Sequence, residues 1–121
     1  MKFFRFEKEV GSPIKQFDSQ EAHYIKVLRS KQENNVGFIQ IDVGGVVGNH
    51  QATMQQLFIV VQGEGWVTGT DKERISIKSG EGVMWDKGEW HESGSENGLL
   101  ALVVEAKTLD TSLLQERKTT R

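Results

Sequence analysis

The sequence contains no cysteine, which removes disulfides, thiolate zinc sites, iron-sulfur clusters and thiol catalysis together. Any metal would have to rest on histidine, carboxylate, amide or water. Long apolar runs are missing too. Stretches such as Leu57 to Val61 are strand-sized, far below the roughly 20 apolar residues that cross a bilayer as a helix. Charge of one sign is not in excess: 15 Lys and Arg face 17 Asp and Glu, a formal net charge of -2. No global positive field exists to hold a phosphate backbone, so nucleic acid is not an expected partner. Near the N-terminus Lys2, Arg5, Glu7, Lys8 and Glu9 break up every apolar run before a signal-peptide core forms. The expectation is a soluble, cytoplasmic protein with no membrane partner, folded as one domain over residues 1–121.

Proline is reduced to Pro13, while glycine occurs 13 times. Twelve of those glycines lie between Gly37 and Gly98, so turns and bends concentrate there. Between them run short segments rich in β-branched and aromatic residues: Val36 to Val43, Leu57 to Gln62, Trp66 to Thr68, Arg74 to Lys78, Val83 to Trp85 and Leu99 to Glu105. Each has the length of a strand. Arg74 to Lys78 alternates with period two, as a half-buried strand does, whereas Leu57 to Val61 is apolar on both faces and suits a sandwich interior. His23 to Ser30 also reads as a strand, followed by a polar turn at Lys31 to Asn35. Asp110 to Lys118 reads as a short helix or tail, with Ser112 three residues before Gln115 in capping-box spacing. The pattern implies an all-β sandwich or small barrel.

Three histidines remain as near-neutral titrating groups and as the best divalent-metal ligands available. His23 stands within a strand without a ligand partner nearby and reads as an ordinary satisfied residue. His50 and His91 each follow a glycine at the edge of a β segment. One stretch runs Gly44, five residues, His50, one residue, Ala52, three residues, Gln56, six residues, Gly63. A second runs Gly80, five residues, Asp86, one residue, Gly88, two residues, His91, three residues, Ser95. These stretches, 44–63 and 80–95, resemble the two motifs of the cupin superfamily, whose usual residues are Gly, His, His, Glu, Gly and then Gly, Pro, Gly, His, Asn. The run from Gln56 to Gly65 is similar to that family's apolar run into a Gly-Glu-Gly turn. The likeness holds at Gly44, His50, Gly63, Gly80, Gly88 and His91, and departs at Ala52, Gln56, Asp86 and Ser95.

What the resemblance implies is a small single-domain cupin: a double-stranded β-helix, or jelly-roll, barrel with a degenerate metal-ligand motif. Its metal would be a divalent transition ion on His50 and His91, with Gln56 at the position the family fills with glutamate. Ala52 offers no donor. Two imidazoles and an amide leave the ion's charge uncompensated, so the site is expected to be weak and to favour an anionic ligand that supplies the missing charge. Gln56 serves equally well as a hydrogen-bond partner for one of the histidines. Asp86 either faces the cavity rim or forms a polar turn with Lys87 and Gly88, and its turn chemistry favours the second. Met54, Met84, Trp85 and Trp90 lie in the motif segments, and alternation brings one of each neighbouring pair towards a ligand pocket. Trp66 reads as a packing or dimer contact.

Two functions follow. One is a metal-dependent oxygenase or isomerase acting on a small organic molecule. The other is a metal-free small-molecule binding or sensing module. Phe3, Phe4 and Phe6 form an apolar cluster that would serve a homodimer or cap the chain's own barrel.

Overall fold

The structure, a computed structural model, describes residues 1–29 and 33–118. Ser30 and part of the expected turn at Lys31 to Asn35 lie outside the described residues. After a 3-10 turn at Lys8–Val10 come β1 (Ser12–Pro13), β2 (Gln20–Arg29), β3 (Asn35–Gln51), β4 (Gln55–Thr68), β5 (Ile75–Lys78), β6 (Gly82–Trp85), β7 (Trp90–Ser95) and β8 (Leu99–Ala106). The pairings are antiparallel throughout. Among the described residues no helix is long and apolar enough to cross a membrane.

The strands form one continuous eight-stranded sheet, in which β3 and β4 each change partners along their length. The first half of β3 lies between β2 and β8, with Ile41 opposite both Ala22 and Leu99. Its second half pairs with β7, from Gly45 opposite Ser95 to Gln51 opposite Trp90. Likewise β4 pairs over Gln55 to Gly63 with β8, and beyond the bend with β5 and β7. The ring β3–β8–β4–β7 is therefore closed, which is the jelly-roll barrel.

The strands are longer than the glycine spacing suggests. Val36 to Val43 continues through Gly44 into the motif strand, and Leu57 to Gln62 continues through Gly63 into Trp66 to Thr68. Both glycines sit at left-handed φ, 75° and 81°, where any other residue is strained. A side chain at Gly63 would also collide with the Gly98 carbonyl. These glycines bend strands without ending them.

Alternation places the core. Phe58 and Val60 on β4, Ile41 on β3, Ile77 on β5, and Leu99, Ala101 and Val103 on β8 are all buried. On β4 the outward residues Leu57 and Ile59 are half-buried and Val61 is exposed, so only one face of that apolar run reaches the interior. In β5, Ser76 and Lys78 face solvent as period two requires.

The tail takes the extended form. Its one turn has the Leu114 N–H donating to the Thr111 carbonyl, and Asp110, not Ser112, supplies the capping oxygen through a 2.9 Å bond from the Ser112 N–H. Leu113 and Leu114 are exposed, so a helix there has no apolar face to bury and marginal intrinsic stability at that length. Arg117 instead reaches back to Glu81 at 2.7 Å and to the Ser76 carbonyl at 3.1 Å. That ion pair holds the Glu81 carboxyl below its usual range.

Phe58 is 1% exposed and packs against Trp85 with ring centroids 5.6 Å apart. Its truncation in Phe58→Ala is expected to lower the unfolding free energy by about 3–5 kcal/mol, read from urea denaturation. A Phe58→Leu control should lose clearly less.

Candidate functional site

The register of β3 against β7 sets His50 directly opposite His91, past an irregularity between Val47 and His50. The extra residue of that irregularity restores His50 to the interior face. Beyond it the two motifs are tied together, because the Ala52 N–H donates to the Glu89 carbonyl and the Ala52 carbonyl accepts from Gly88. Ala52 itself belongs to the apolar core. Asp86 forms a turn: its N–H donates to Glu89 Oε1 at 3.1 Å, and its carboxylate accepts from Gln55 on the outer face.

Each histidine ring is fixed by a backbone carbonyl. Nδ1 of His50 is 2.7 Å from the Gly48 carbonyl, and Nδ1 of His91 is 3.2 Å from that of Glu89. A carbonyl only accepts, so both Nδ1 atoms carry the proton, and in the neutral ring each Nε2 keeps its lone pair. The rings form a column. Phe17 stacks on His50 at 4.1 Å and 9°, His50 meets His91 at 4.3 Å, and Trp85 stacks on His91 at 4.2 Å and 25°. Trp85 is anchored by its own N–H, which donates to the Thr68 carbonyl at 3.0 Å. Burial is the chief cause that lowers the His91 pKa from 6.5 to about 4, with a smaller push from His50 and partial opposition from the bond to Glu89.

Above His50 opens a cavity of about 360 Å³, lined among others by Phe17, Tyr24, Ile39, Gln56 and Glu105. Gln56 faces inward but turns its amide nitrogen to Glu105, donating to Oε2 at 3.1 Å. Phe17 comes from the segment that folds over the mouth between β1 and β2, where Phe17 and Asp18 both hold left-handed φ, 63° and 55°. Gly48 makes room for this segment, since a Cβ there would strike the Phe17 carbonyl. A larger depression, about 610 Å³, lies on the outer surface by Trp66, Lys78 and Arg117 and contains none of the motif histidines.

Of the residues singled out by sequence, His50, His91 and Trp85 meet in the ring column, and Gln56 joins His50 in the cavity. Trp90 is 43% exposed, so of the pair Trp90 and His91 it is the histidine that points inward. Met84 alternates with the buried Trp85, and Met54 sits in the bend between β3 and β4; neither lines the cavity. His23 lies 3.4 Å from Asp42, an acceptor it shares with Lys8. Trp66 is a packing residue, seated on Gly94 and covered by the Arg74 guanidinium at 3.7 Å. Sequence reasoning missed Phe17 and Glu105. The signal for Glu105 was present in the alternation Leu99, Ala101, Val103, Glu105 of inward positions on β8.

These side chains do not fit a divalent-metal centre. Among the described residues no group of three or more His, Asp or Glu is placed to hold an ion. The position two after His50 is the methyl group of Ala52, and Gln56, whose amide nitrogen bonds Glu105, brings only a neutral carbonyl oxygen where a carboxylate is needed. Two imidazoles supply no charge to offset a dication, and the Glu105 carboxylate of the same cavity is not placed with them as a set of three ligands.

A histidine buried neutral makes folding pH-dependent in a known direction. Between 6.5 and about 4 the unfolded chain binds a proton at His91 that the folded chain refuses, so stability falls as pH drops through that window. The expected loss between pH 7 and pH 4 is at most about 3 kcal/mol from this group. Denaturation at a series of pH values should show that slope in the native chain and a flatter one in His91→Gln.

The fold and motifs have clear relatives. The family model described as the cupin domain matches residues 37–104, more than half of the chain. No curated protein matches it. Among solved structures, the polyketide cyclase RemF from Streptomyces resistomycificus superposes with a TM-score of 0.72 at 15% identity, over 88% of this chain and 81% of that one. The cupin domain of Schizosaccharomyces pombe Cnp3 gives 0.67 at 12% identity, over 74% of this chain and 66% of that one. KdgF from Halomonas sp. gives 0.64 at 20% identity, over 77% and 88%. At such identities the likeness is one of fold. With the family model spanning both motif strands and the histidines facing each other inside a closed jelly roll, the chain belongs to the cupin domain family.

Proposed function

We propose that this cupin binds a small organic molecule in the barrel through hydrogen bonds and ring contacts, without a resident metal. The observation that carries the reading is the ring column. His91 is held neutral by burial, the Nδ1 atoms of both histidines are spent on backbone carbonyls, and Phe17 and Trp85 cover their outer faces. An arrangement of this kind presents directional polar atoms within an apolar, aromatic setting, which is the usual character of a small-molecule site. The oxygenase and isomerase readings both require a metal that this donor set does not suit.

The N-terminal phenylalanines support a homodimer as part of the same proposal. Phe3 and Phe4 are exposed, while Phe6 packs edge-on against Phe38 at 5.7 Å. The cluster is thus anchored to the barrel but largely uncovered, as a pairing surface would be. Sedimentation velocity should show a dimer that a Phe3→Ser, Phe4→Ser double variant converts to monomer. A monomeric native chain would overturn the pairing.

Metal content tests the binding mode directly. Untagged protein is loaded in turn with manganese, iron, nickel, copper and zinc, desalted and measured by mass spectrometry. Retention far below one ion per chain is expected, with no difference between the native chain and a His50→Ala, His91→Ala variant. One ion per chain, lost in that variant, would restore the metal-dependent enzyme.

A further inference from the structure

Glu105 is the one formally charged side chain among the described residues that line the barrel cavity. The other described lining residues are mostly aromatic or aliphatic, with Ser12, Gln16, His50 and Gln56 as polar partners and no lysine or arginine among them. One carboxylate oxygen accepts from the Gln56 amide at 3.1 Å. A carboxylate has roughly four acceptor sites on its two oxygens, so a single amide leaves most of its capacity unused. No described lining residue supplies a counter-ion to Glu105, and a ligand of the opposite charge would supply one.

The sign matters for the ligand. The motif suggests an anionic occupant, because a metal on neutral ligands would welcome one; the cavity instead disfavours it, with a carboxylate and no cation among its described lining residues. Resting on the small-molecule reading above, we infer that the cavity selects small cations, specifically molecules with one aromatic or aliphatic ring and a protonated amine, and that Glu105 is the residue that selects them. The ammonium donates to the free Glu105 oxygen, charge-assisted. The ring lies against the aromatic wall of Phe17 and Tyr24, whose faces also favour a positive charge. Gln56 positions Glu105 through its amide, and its own carbonyl oxygen remains available to a second ammonium hydrogen. A volume of about 360 Å³ is near the lower end of small-molecule pockets and suits a ligand of this size.

The test compares three probes of one shape and different charge: benzylamine, benzyl alcohol and benzoate. Binding is followed by NMR through the His50 ring protons and quantified by calorimetry at pH 7.5. Benzylamine should bind at least about tenfold tighter than benzyl alcohol, and benzoate should not bind. Glu105→Gln should bring benzylamine down to the level of benzyl alcohol while leaving benzyl alcohol unchanged, which also shows that the variant cavity is intact. Glu105→Asp, which keeps the charge, should retain a preference for the amine. Equal binding of all three probes, or an amine preference that survives Glu105→Gln, would overturn the selection by Glu105 and leave the small-molecule reading standing. Failure of every probe to shift the His50 resonances would overturn both.

Discussion

Two strands carry the architecture because each pairs with β8 along one half and with β7 along the other. β3 and β4 pass through their bends at Gly44 and Gly63 without interruption, so the pairing of one half fixes the position of the other. β8 locks the first halves of the two strands, and β7 locks the second halves. A slip of one residue in either would turn every inward side chain outward, and the fully buried Ile41, Val60 and Ala101 exclude that. The opposition of His50 and His91 is inherited from this constraint. The irregularity before His50 completes it by turning that ring inward.

Within that frame the site keeps two kinds of polarity apart. The imidazoles belong to an apolar stack and are satisfied from the backbone, through the Gly48 and Glu89 carbonyls. Carbonyls two residues back along the same strand edge hold the rings without introducing charge. Glu105 sits on the opposite strand pair, beside Gln56, where its partner is a side-chain amide. The cavity consequently has one neutral, aromatic side and one acidic side. A small barrel with a single interior has little room to screen one from the other, and the side chains that would bridge them in a metal-binding cupin are an alanine and an occupied glutamine.

Much of this was legible in the sequence, for reasons that can be traced. His50 and His91 were visible because their spacing from glycines is set by strand and turn geometry, which is local. Alternation placed one of Met84 and Trp85 inward without saying which, and it gave the buried side of β5. The course of the strands was less visible, because glycine marks a bend inside a strand and a turn between strands in the same way; only the pairing partners distinguish them. Gln56 was recognised as a polar residue at the cavity, but its orientation depends on Glu105, distant in the chain and close only after β8 has paired with β4. Phe17 carried no periodic signal at all. It comes from a segment with two consecutive left-handed residues, a conformation that sequence patterns for helices and strands do not encode. The tail misled for a related reason: Ser112 and Gln115 have the spacing of a helix start, yet nothing in the barrel offers Leu113 and Leu114 a surface to cover.

The Phe17 segment forms part of the cavity wall without belonging to the ring of strands. It is held at one end by β1, a two-residue strand paired to Tyr24 and His23, and at the other by the start of β2. Between those anchors its hold on the barrel includes the stack on His50, the close approach at Gly48 and one bond from the Gly48 N–H to Ser19 Oγ at 3.2 Å. Displacing such a segment would leave the ring of strands beneath it paired, so the local stability of this part of the cavity wall is separate from that of the barrel.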